Sequence, residues 1–202
     1  PQTRMVSLTI TEKAYGIDQP DGAIGLIARG LQLRRDAGLP PFTVMSCDNL
    51  PDNGKLTRNA VLAFAAVLET DLSDWIDRNG AFPSTMVDRI TPACTQALIA
   101  DVAQATGQRD LAPVEAEPFI QWVIEDDFCN GRPDWHRVGA VMVQDVAPYE
   151  HMKLRMLNGA HSLMAYAGLA RGFTYVHEAV ADPDLRSLVT DLMAEAGATL
   201  PD

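Results

Sequence analysis

Three side chains suited to proton transfer and hydrogen bonding lie close together in the last third of the chain. Within the segment YEHMKLRMLNGAHSLMAY they are Lys153, Asn158 and His161. On an α-helix, Asn158 lies about 140° and His161 about 80° around the axis from Lys153. All three therefore fall within one arc of a predicted helix. The neighbouring face is mostly apolar and carries Met152, Met156, Leu157, Ala160, Leu163 and Met164.

This trio could interconvert an alcohol and a ketone. Removal of a hydride from a secondary alcohol requires a base for the hydroxyl proton, and a lysine that is desolvated between helices can have its pKa lowered enough to serve. Asn158 could donate its amide N–H to the developing alkoxide, and His161 could orient the substrate. None of these roles requires a metal. Taken alone, the pattern also allows a solvent-directed lysine and a hydrogen-bonded core histidine.

Two loops could complete such a site. The segment SCDNLPDNG follows a predicted strand, so Asp48 and Asn49 lie at a carboxyl strand end, where ligands bind in open α/β sheets. Read without its context, this loop favours an ordinary turn at Asn53-Gly54 with side-chain caps. The segment STMVDRI offers Asp88 and Arg89, which could equally form an ion pair.

Strands and helices are predicted to alternate in the first part of the chain. Short apolar runs at Met5–Ile10 and Phe42–Cys47 predict buried strands. Helical periodicity covers Ala23–Arg35, and Thr57–Arg78 is expected to form one long helix. This order is typical of an α/β fold with a parallel sheet.

The pattern then becomes less regular and finally all-helical. A helix is predicted over 93–106 and a strand over 138–146, whereas 117–128 is amphipathic and fits either. After Pro148 only helical periodicity remains, over 149–171, 174–180 and 183–196. We therefore expect two domains, 1–148 and 149–202.

Composition limits the class of partner and the compartment. The 202 residues carry a net charge of −11, which disfavours nucleic acid and anionic membranes as partners, and no apolar run predicts a membrane span. The three cysteines lack CxxC spacing, which favours a reducing compartment and hence a cytoplasmic location.

Five blocks of the sequence follow one another along nearly the whole chain: SLTITEKAYG, FTVMSCDNLPDNG, FPSTMVDRITP, EPFIQWVIEDDFCNGRPDW and YEHMKLRMLNGAHS. The most specific part of them is the K-x-x-x-x-N-x-x-H pattern of Lys153, Asn158 and His161. Together these blocks resemble the long-chain mannitol dehydrogenase family, which includes mannitol 2-dehydrogenase and fructuronate reductase.

The resemblance implies a Rossmann-type domain followed by the start of an all-helical domain, with metal-independent catalysis in the cleft between them and NAD or NADP as cofactor. It makes Lys153 the general acid/base, Asn49 and Asn158 the oxyanion hole, and His161 the substrate-orienting residue. Glu150 would help protons leave the site. Val87 and Asp88 would lie near the nicotinamide, and Glu12 and Asn49 would also face the cofactor.

The chain departs from the family pattern at three places. The Gly-rich phosphate loop is expected before residue 1, and no GxGxxG occurs in the sequence. The family usually carries further residues between the segment TEKAY (11–15) and the next helix, and its helical domain continues beyond Asp202. The 202-residue unit is therefore expected to bind nucleotide poorly.

Several alternatives remain open from the sequence. The substrate pair could be mannitol and fructose or mannonate and fructuronate, and Arg155, about 200° from Lys153, decides little as a carboxylate-binding cation. A non-catalytic binding or interaction domain is the alternative from another class. The choice between NAD and NADP and the oligomeric state are not readable from these residues.

Overall fold

The computed structural model describes residues 2–200. Contacts divide the chain into two compact units, one that ends at Gln144 and one that begins at Asp145. This division lies four residues before the predicted domain boundary at 148. The two units are described in turn.

The first unit combines strands and helices. Its strands are β1 (Met5–Leu8), β2 (Thr43–Ser46), β3 (Thr85–Asp88), β4 (Gln121–Glu125) and β5 (Val141–Val143). Its α-helices are α1 (Ala23–Asp36), α2 (Asn53–Leu68), α3 (Thr70–Asn79) and α4 (Gln96–Thr106), with 3-10 turns at Glu12–Tyr15 and Trp135–Val138. The ambiguous segment 117–128 therefore contains a strand, while the strand predicted over 138–146 is only three residues long.

The strands form a two-stranded sheet, β1-β2, and a three-stranded sheet, β3-β4-β5, and hydrogen bonds join β2 to the segment of β3. Strands β1 and β2 are parallel, with Met5 opposite Thr43. Strand β3 is antiparallel to β4, and β4 is parallel to β5. The Val44 N–H donates to the Ala81 carbonyl (3.0 Å), and the Thr85 hydroxyl donates to the Ser46 carbonyl (2.7 Å). The bonded positions advance in the same direction along both segments, from 44 to 46 and from 81 to 85, so β2 and β3 run parallel. Because β1 is also parallel to β2, all three strands have their carboxyl ends at one edge.

Both faces of β2 are buried. Its four residues are all inaccessible, and successive side chains point to opposite faces of a strand. Val44 belongs to the main apolar core, which lies among α1, α2 and α3, and Met45 to a smaller cluster with Ile124 and Ala140. The main core contains Leu8, Tyr15, Ile24, Ile27, Ala28, Leu31, Phe42, Val44, Ala60, Val61, Phe64, Ala65, Leu72, Ile76 and Phe82.

The prediction of one long helix over Thr57–Arg78 is wrong. Helices α2 and α3 meet at Glu69, whose φ of −156° and ψ of 129° are those of extended backbone. The break lets both helices turn their apolar sides, including Phe64 and Ile76, into the same core. The Glu69 carboxylate accepts hydrogen bonds from Arg35 (2.7 Å) and Gln32 (2.6 Å) of α1, which places the break against that helix.

The described residues of the second unit, 145–200, contain helices and no strand, as the sequence predicts. It contains α5 (Ala147–Met152), a π-helical segment (Lys153–Asn158), α6 (Gly159–Ala170), α7 (Val176–Ala181) and α8 (Pro183–Gly197). Helices α6 and α7 approach closely, because a Cβ on Gly168 would lie 2.9 Å from that of Ala179. The Asp182 carboxylate caps α8 by accepting the Leu185 N–H at 3.0 Å. Among residues 2–200, no helix combines the length and the apolar character needed to cross a bilayer.

Substitution of Gly54 by alanine is expected to destabilise the first unit. A Cβ on Gly54 would lie 2.4 Å from the Phe82 carbonyl oxygen and 2.6 Å from the Ser84 nitrogen, and neither backbone atom can move freely. Overpacking of this kind costs about 1–3 kcal/mol, which outweighs a gain in helix propensity of up to about 1 kcal/mol. The free energy of unfolding in urea measures the effect.

The matched control is Gly30→Ala in α1. A Cβ there would meet the Phe42 ring at 3.4 Å, which is ordinary contact, so this variant is expected to be about 0.5–1 kcal/mol more stable. A Gly54→Ala protein as stable as the unsubstituted one would contradict the close approach of α2 to the start of β3.

Candidate active site

The cofactor-facing residues predicted in the first unit lie at one edge of its sheet. Glu12 is exposed and begins the 3-10 turn that follows β1, and Asn49 follows β2 and is also exposed. Val87 and Asp88, both half-buried, are the last two residues of β3. The structure therefore brings these four residues to the same carboxyl edge, which is where dinucleotides bind in open α/β sheets.

Asn49 is the central residue of a tight turn. The Leu50 N–H donates to the Asp48 carbonyl at 2.8 Å, which closes a three-residue turn around Asn49. The Asp48 carboxylate faces the protein, where one oxygen accepts the Ile10 N–H (2.9 Å) and the Tyr15 hydroxyl (2.6 Å). The side chain of Asn49 is thus exposed while its backbone is held from the inside.

Asn53 ties this turn to β3. Its side chain is fully buried, and its amide nitrogen donates to the carbonyls of Asp48 (2.9 Å) and Thr85 (2.8 Å). Its amide oxygen accepts the Thr85 N–H at 2.9 Å. The turn expected at Asn53-Gly54 with side-chain caps is wrong, because both residues belong to α2 and the helix has no side-chain cap. Asp48 and Asn53 are nevertheless bonded inside the protein, whereas Asn49 is exposed at the edge.

Sequence reasoning did not identify Tyr15 as part of this network. Its hydroxyl lies 2.7 Å from that of Ser46 and donates to Asp48. Burial, followed by the hydrogen bond to Asp48, raises the pKa of Tyr15 to about 12. Its place in the block TEKAY was the available signal, but nothing in that block indicates a partner 33 residues away.

The neighbouring thiol favours a structural interpretation. Cys47 directly precedes Asp48, and burial raises the pKa of its thiol. The thiol therefore stays protonated near neutral pH, which makes it a poor nucleophile. All three cysteines are free in the structure.

The other predicted residues lie on one helical run of the second unit. Glu150 is in α5, Lys153 and Asn158 are the first and last residues of the π-helical segment, and His161 is in the first turn of α6. Hydrogen bonds in a π-helix join residues five apart, so each turn is wider than in an α-helix. Lys153 and Asn158 are five residues apart, so the angle between them around the helix axis is smaller than the 140° calculated for an α-helix.

The side chains of this run differ in exposure. Lys153 is half-buried, and Asn158 and His161 are exposed. The predicted apolar face is only partly buried within this unit, since Ala160 is 6% exposed but Leu157 is 50% exposed. The nearby Arg155 donates to the Thr199 carbonyl at 2.7 Å and to its hydroxyl at 3.1 Å, so its guanidinium is held at the end of α8.

The predicted site residues are divided between the units. Glu12, Asn49, Val87 and Asp88 belong to the first, and Glu150, Lys153, Asn158 and His161 to the second. Among residues 2–200, no group of three or more His, Cys, Asp or Glu side chains is arranged to hold a metal ion.

Comparison with known proteins places these residues in a family. The family model described as the mannitol dehydrogenase Rossmann domain matches residues 1–137, and the one described as the mannitol dehydrogenase C-terminal domain matches residues 145–202. The D-mannonate oxidoreductase of Escherichia coli is 45% identical over 219 residues, which cover 98% of this chain and 45% of that protein.

Two solved structures share the fold. The mannitol 2-dehydrogenase of Pseudomonas fluorescens, in a ternary complex with NAD and D-mannitol, is 43% identical with a TM-score of 0.81. A substrate-free D-sorbitol dehydrogenase is 36% identical with a TM-score of 0.91. Both matches cover 98% of this chain, but only 45% and 46% of the respective structures.

The predicted architecture, a Rossmann-type parallel-sheet domain followed by helices, is confirmed by these neighbours. The chain spans less than half the length of the relatives that it matches. It belongs to the mannitol dehydrogenase family and contains residues of both its Rossmann domain and its C-terminal domain.

Proposed function

We propose that the protein containing this chain is an NAD(P)-dependent oxidoreductase that interconverts a secondary alcohol and a ketone of a sugar alcohol or sugar acid. The observation that carries the proposal is the helical run on which Lys153 and Asn158 are joined by a π turn, in a chain that belongs to the mannitol dehydrogenase family. A base and an amide donor on one side of a helix are what alcohol oxidation requires.

Lys153 is assigned the proton transfer. In the oxidative direction its amine takes the proton of the substrate hydroxyl as the hydride leaves the carbon that carries this hydroxyl. In the reductive direction the lysine returns a proton to the carbonyl oxygen. The nicotinamide cofactor, when bound, accepts or supplies the hydride. Glu150 lies three residues before Lys153, one helical turn away, and is assigned the transfer of the proton onward from the lysine.

The amides stabilise charge and the histidine orients the substrate. Asn49 and Asn158 are assigned hydrogen bonds to the oxygen that carries negative charge in the transition state. His161 follows Asn158 by three residues and is assigned a hydrogen bond to a neighbouring substrate hydroxyl. No step in this scheme needs a metal, because the lysine and the amides handle the proton and the charge.

The first unit fits the nicotinamide end of the cofactor. Glu12, Asn49, Val87 and Asp88 lie at the carboxyl edge of the sheet, where such a ring would approach a substrate. The mannitol 2-dehydrogenase structure contains NAD, which supports a nicotinamide cofactor here.

Two substrate pairs remain candidates. The D-mannonate oxidoreductase and the mannitol 2-dehydrogenase match this chain almost equally, at 45% and 43% identity. A uronate substrate would need a cation near its carboxylate, but the Arg155 guanidinium is already bonded to Thr199.

A cytoplasmic location is also proposed, and the three free cysteines support it.

The first test is an activity assay on the protein expressed from its complete gene. NADH and NADPH oxidation should be followed separately by absorbance with fructose and with fructuronate. Oxidation with one of the sugars is expected, and it identifies both the substrate and the preferred cofactor. Absence of oxidation with both sugars, in a protein shown to be folded, would favour a non-catalytic binding domain instead.

Replacement of Lys153 by alanine is expected to lower kcat by about 10²–10⁴-fold, the usual contribution of a positioned acid–base group. Arg155→Ala is the matched control, because it removes a cation from the same π segment whose guanidinium is held by Thr199. That control should retain activity with either sugar. A folded Lys153→Ala protein with full activity would remove Lys153 from the mechanism.

A further inference from the structure

We propose that Tyr15 is a positioning residue which, through the carboxylate of Asp48, holds the turn that presents Asn49 to the substrate. The inference rests on the proposed function, because it concerns the assigned oxyanion-hole amide. In this role Tyr15 does not contact the substrate or the cofactor. It acts on the backbone that carries Asn49.

The Tyr15 side chain is poised for this role by burial and by its partners. It is 7% exposed, and its hydroxyl lies 2.6 Å from one Asp48 oxygen and 2.7 Å from the Ser46 hydroxyl. The same Asp48 oxygen accepts the Ile10 N–H at 2.9 Å. One carboxylate oxygen therefore receives two donors from the segment that follows β1, and charge-assisted bonds of this kind are the stronger ones.

The restraint passes from Asp48 to Asn49 through the backbone. The Asp48 carbonyl accepts both the Leu50 N–H (2.8 Å) and the Asn53 amide (2.9 Å). The residues on either side of Asn49 are thus bonded, and the Asn49 side chain is exposed at the edge. Catalytic groups held this way by a supporting layer keep the geometry that the reaction needs.

The same hydroxyl also connects two loops. Tyr15 ends the 3-10 turn that begins at Glu12, the predicted cofactor-facing residue after β1. Its bond to Asp48 therefore ties the Glu12 turn to the Asn49 turn, although 33 residues separate the two bonded groups. The Tyr15 side chain therefore adds a direct bond between two parts of the proposed site, beside that from the Ile10 N–H.

Proton transfer through Tyr15 is the competing role, and the environment opposes it. With a pKa of about 12, caused first by burial and then by the bond to Asp48, the phenol stays protonated at the pH at which the enzyme would work. Its proton is committed to Asp48. A positioning role predicts that the pH dependence of turnover does not change when the hydroxyl is removed.

The experiment compares Tyr15→Phe with the unsubstituted protein expressed from its complete gene. We expect kcat to fall about 10- to 100-fold, since small displacements of a group can cost up to about 10²-fold. The pH profile of kcat should stay as it is. Tyr166→Phe is the control, because it removes a hydroxyl from a side chain that is 78% exposed.

Substitutions at Asp48 separate positioning from a general loss of folding. Asp48→Asn keeps an oxygen acceptor for Tyr15 and Ile10 and should retain most of the activity, whereas Asp48→Ala should lose at least as much as Tyr15→Phe, because it also removes the acceptor of the Ile10 N–H. The double variant Tyr15→Phe/Asp48→Ala should be no worse than Asp48→Ala alone, because the Tyr15 hydroxyl acts through Asp48. Unchanged kcat in Tyr15→Phe, a shifted pH profile, or additive losses would each overturn the proposal.

A readout independent of activity separates this inference from the proposed function. Hydrogen exchange of the Leu50 amide, which closes the Asn49 turn, should be faster in Tyr15→Phe than in the unsubstituted protein or in Tyr166→Phe. Faster exchange in a protein that oxidises no NAD(P)H would leave the restraint standing and remove the proposed function. Unchanged exchange would overturn the restraint itself.

Discussion

The carboxyl edge of the sheet depends on the hydrogen bonds that the buried side-chain amide of Asn53 makes with Asp48 and Thr85. This amide bonds the end of β2 through the Asp48 carbonyl and the start of β3 through both backbone groups of Thr85. A buried backbone group left without a partner costs about 1–3 kcal/mol, so loss of this amide would leave several such penalties in one place. Because Asn53 is also the first residue of α2, the position of that helix follows from the same bonds.

The close approach of α2 to β3 follows from this arrangement. With Asn53 bonded to Thr85, the next residue faces the Phe82–Ser84 backbone at a distance that leaves room for hydrogen alone, and Gly54 occupies it. The turn between β2 and α2 is consequently short and fully bonded on its inner side. Asn49 is one of the exposed residues of this loop, whereas Asn53 is buried and bonded to the Asp48 carbonyl.

In the second unit, the backbone itself adapts the spacing of the reactive groups. A regular α-helix would separate Lys153 and Asn158 by about 140°. The π turn between them joins residues five apart and reduces that separation, and π turns inside α-helices occur frequently at functional sites. The helical periodicity of the segment predicts the helix but not the π turn, because the π segment is only six residues long within a longer helical run.

Much of this protein was readable from local pattern alone. The strands at β1 and β2, the helix α1, the all-helical second unit and the family blocks around Lys153 all depend on residues close in sequence, so periodicity and motif spacing reveal them. What the tertiary structure decided involves partners far apart. Examples are the break at Glu69, where two helices share one core, and the bond from Tyr15 to Asp48 across 33 residues. Periodicity and motifs within a short segment do not predict such pairs. A hydrogen bond between distant segments depends on how the folded chain brings them together, not on the spacing of residues within either segment.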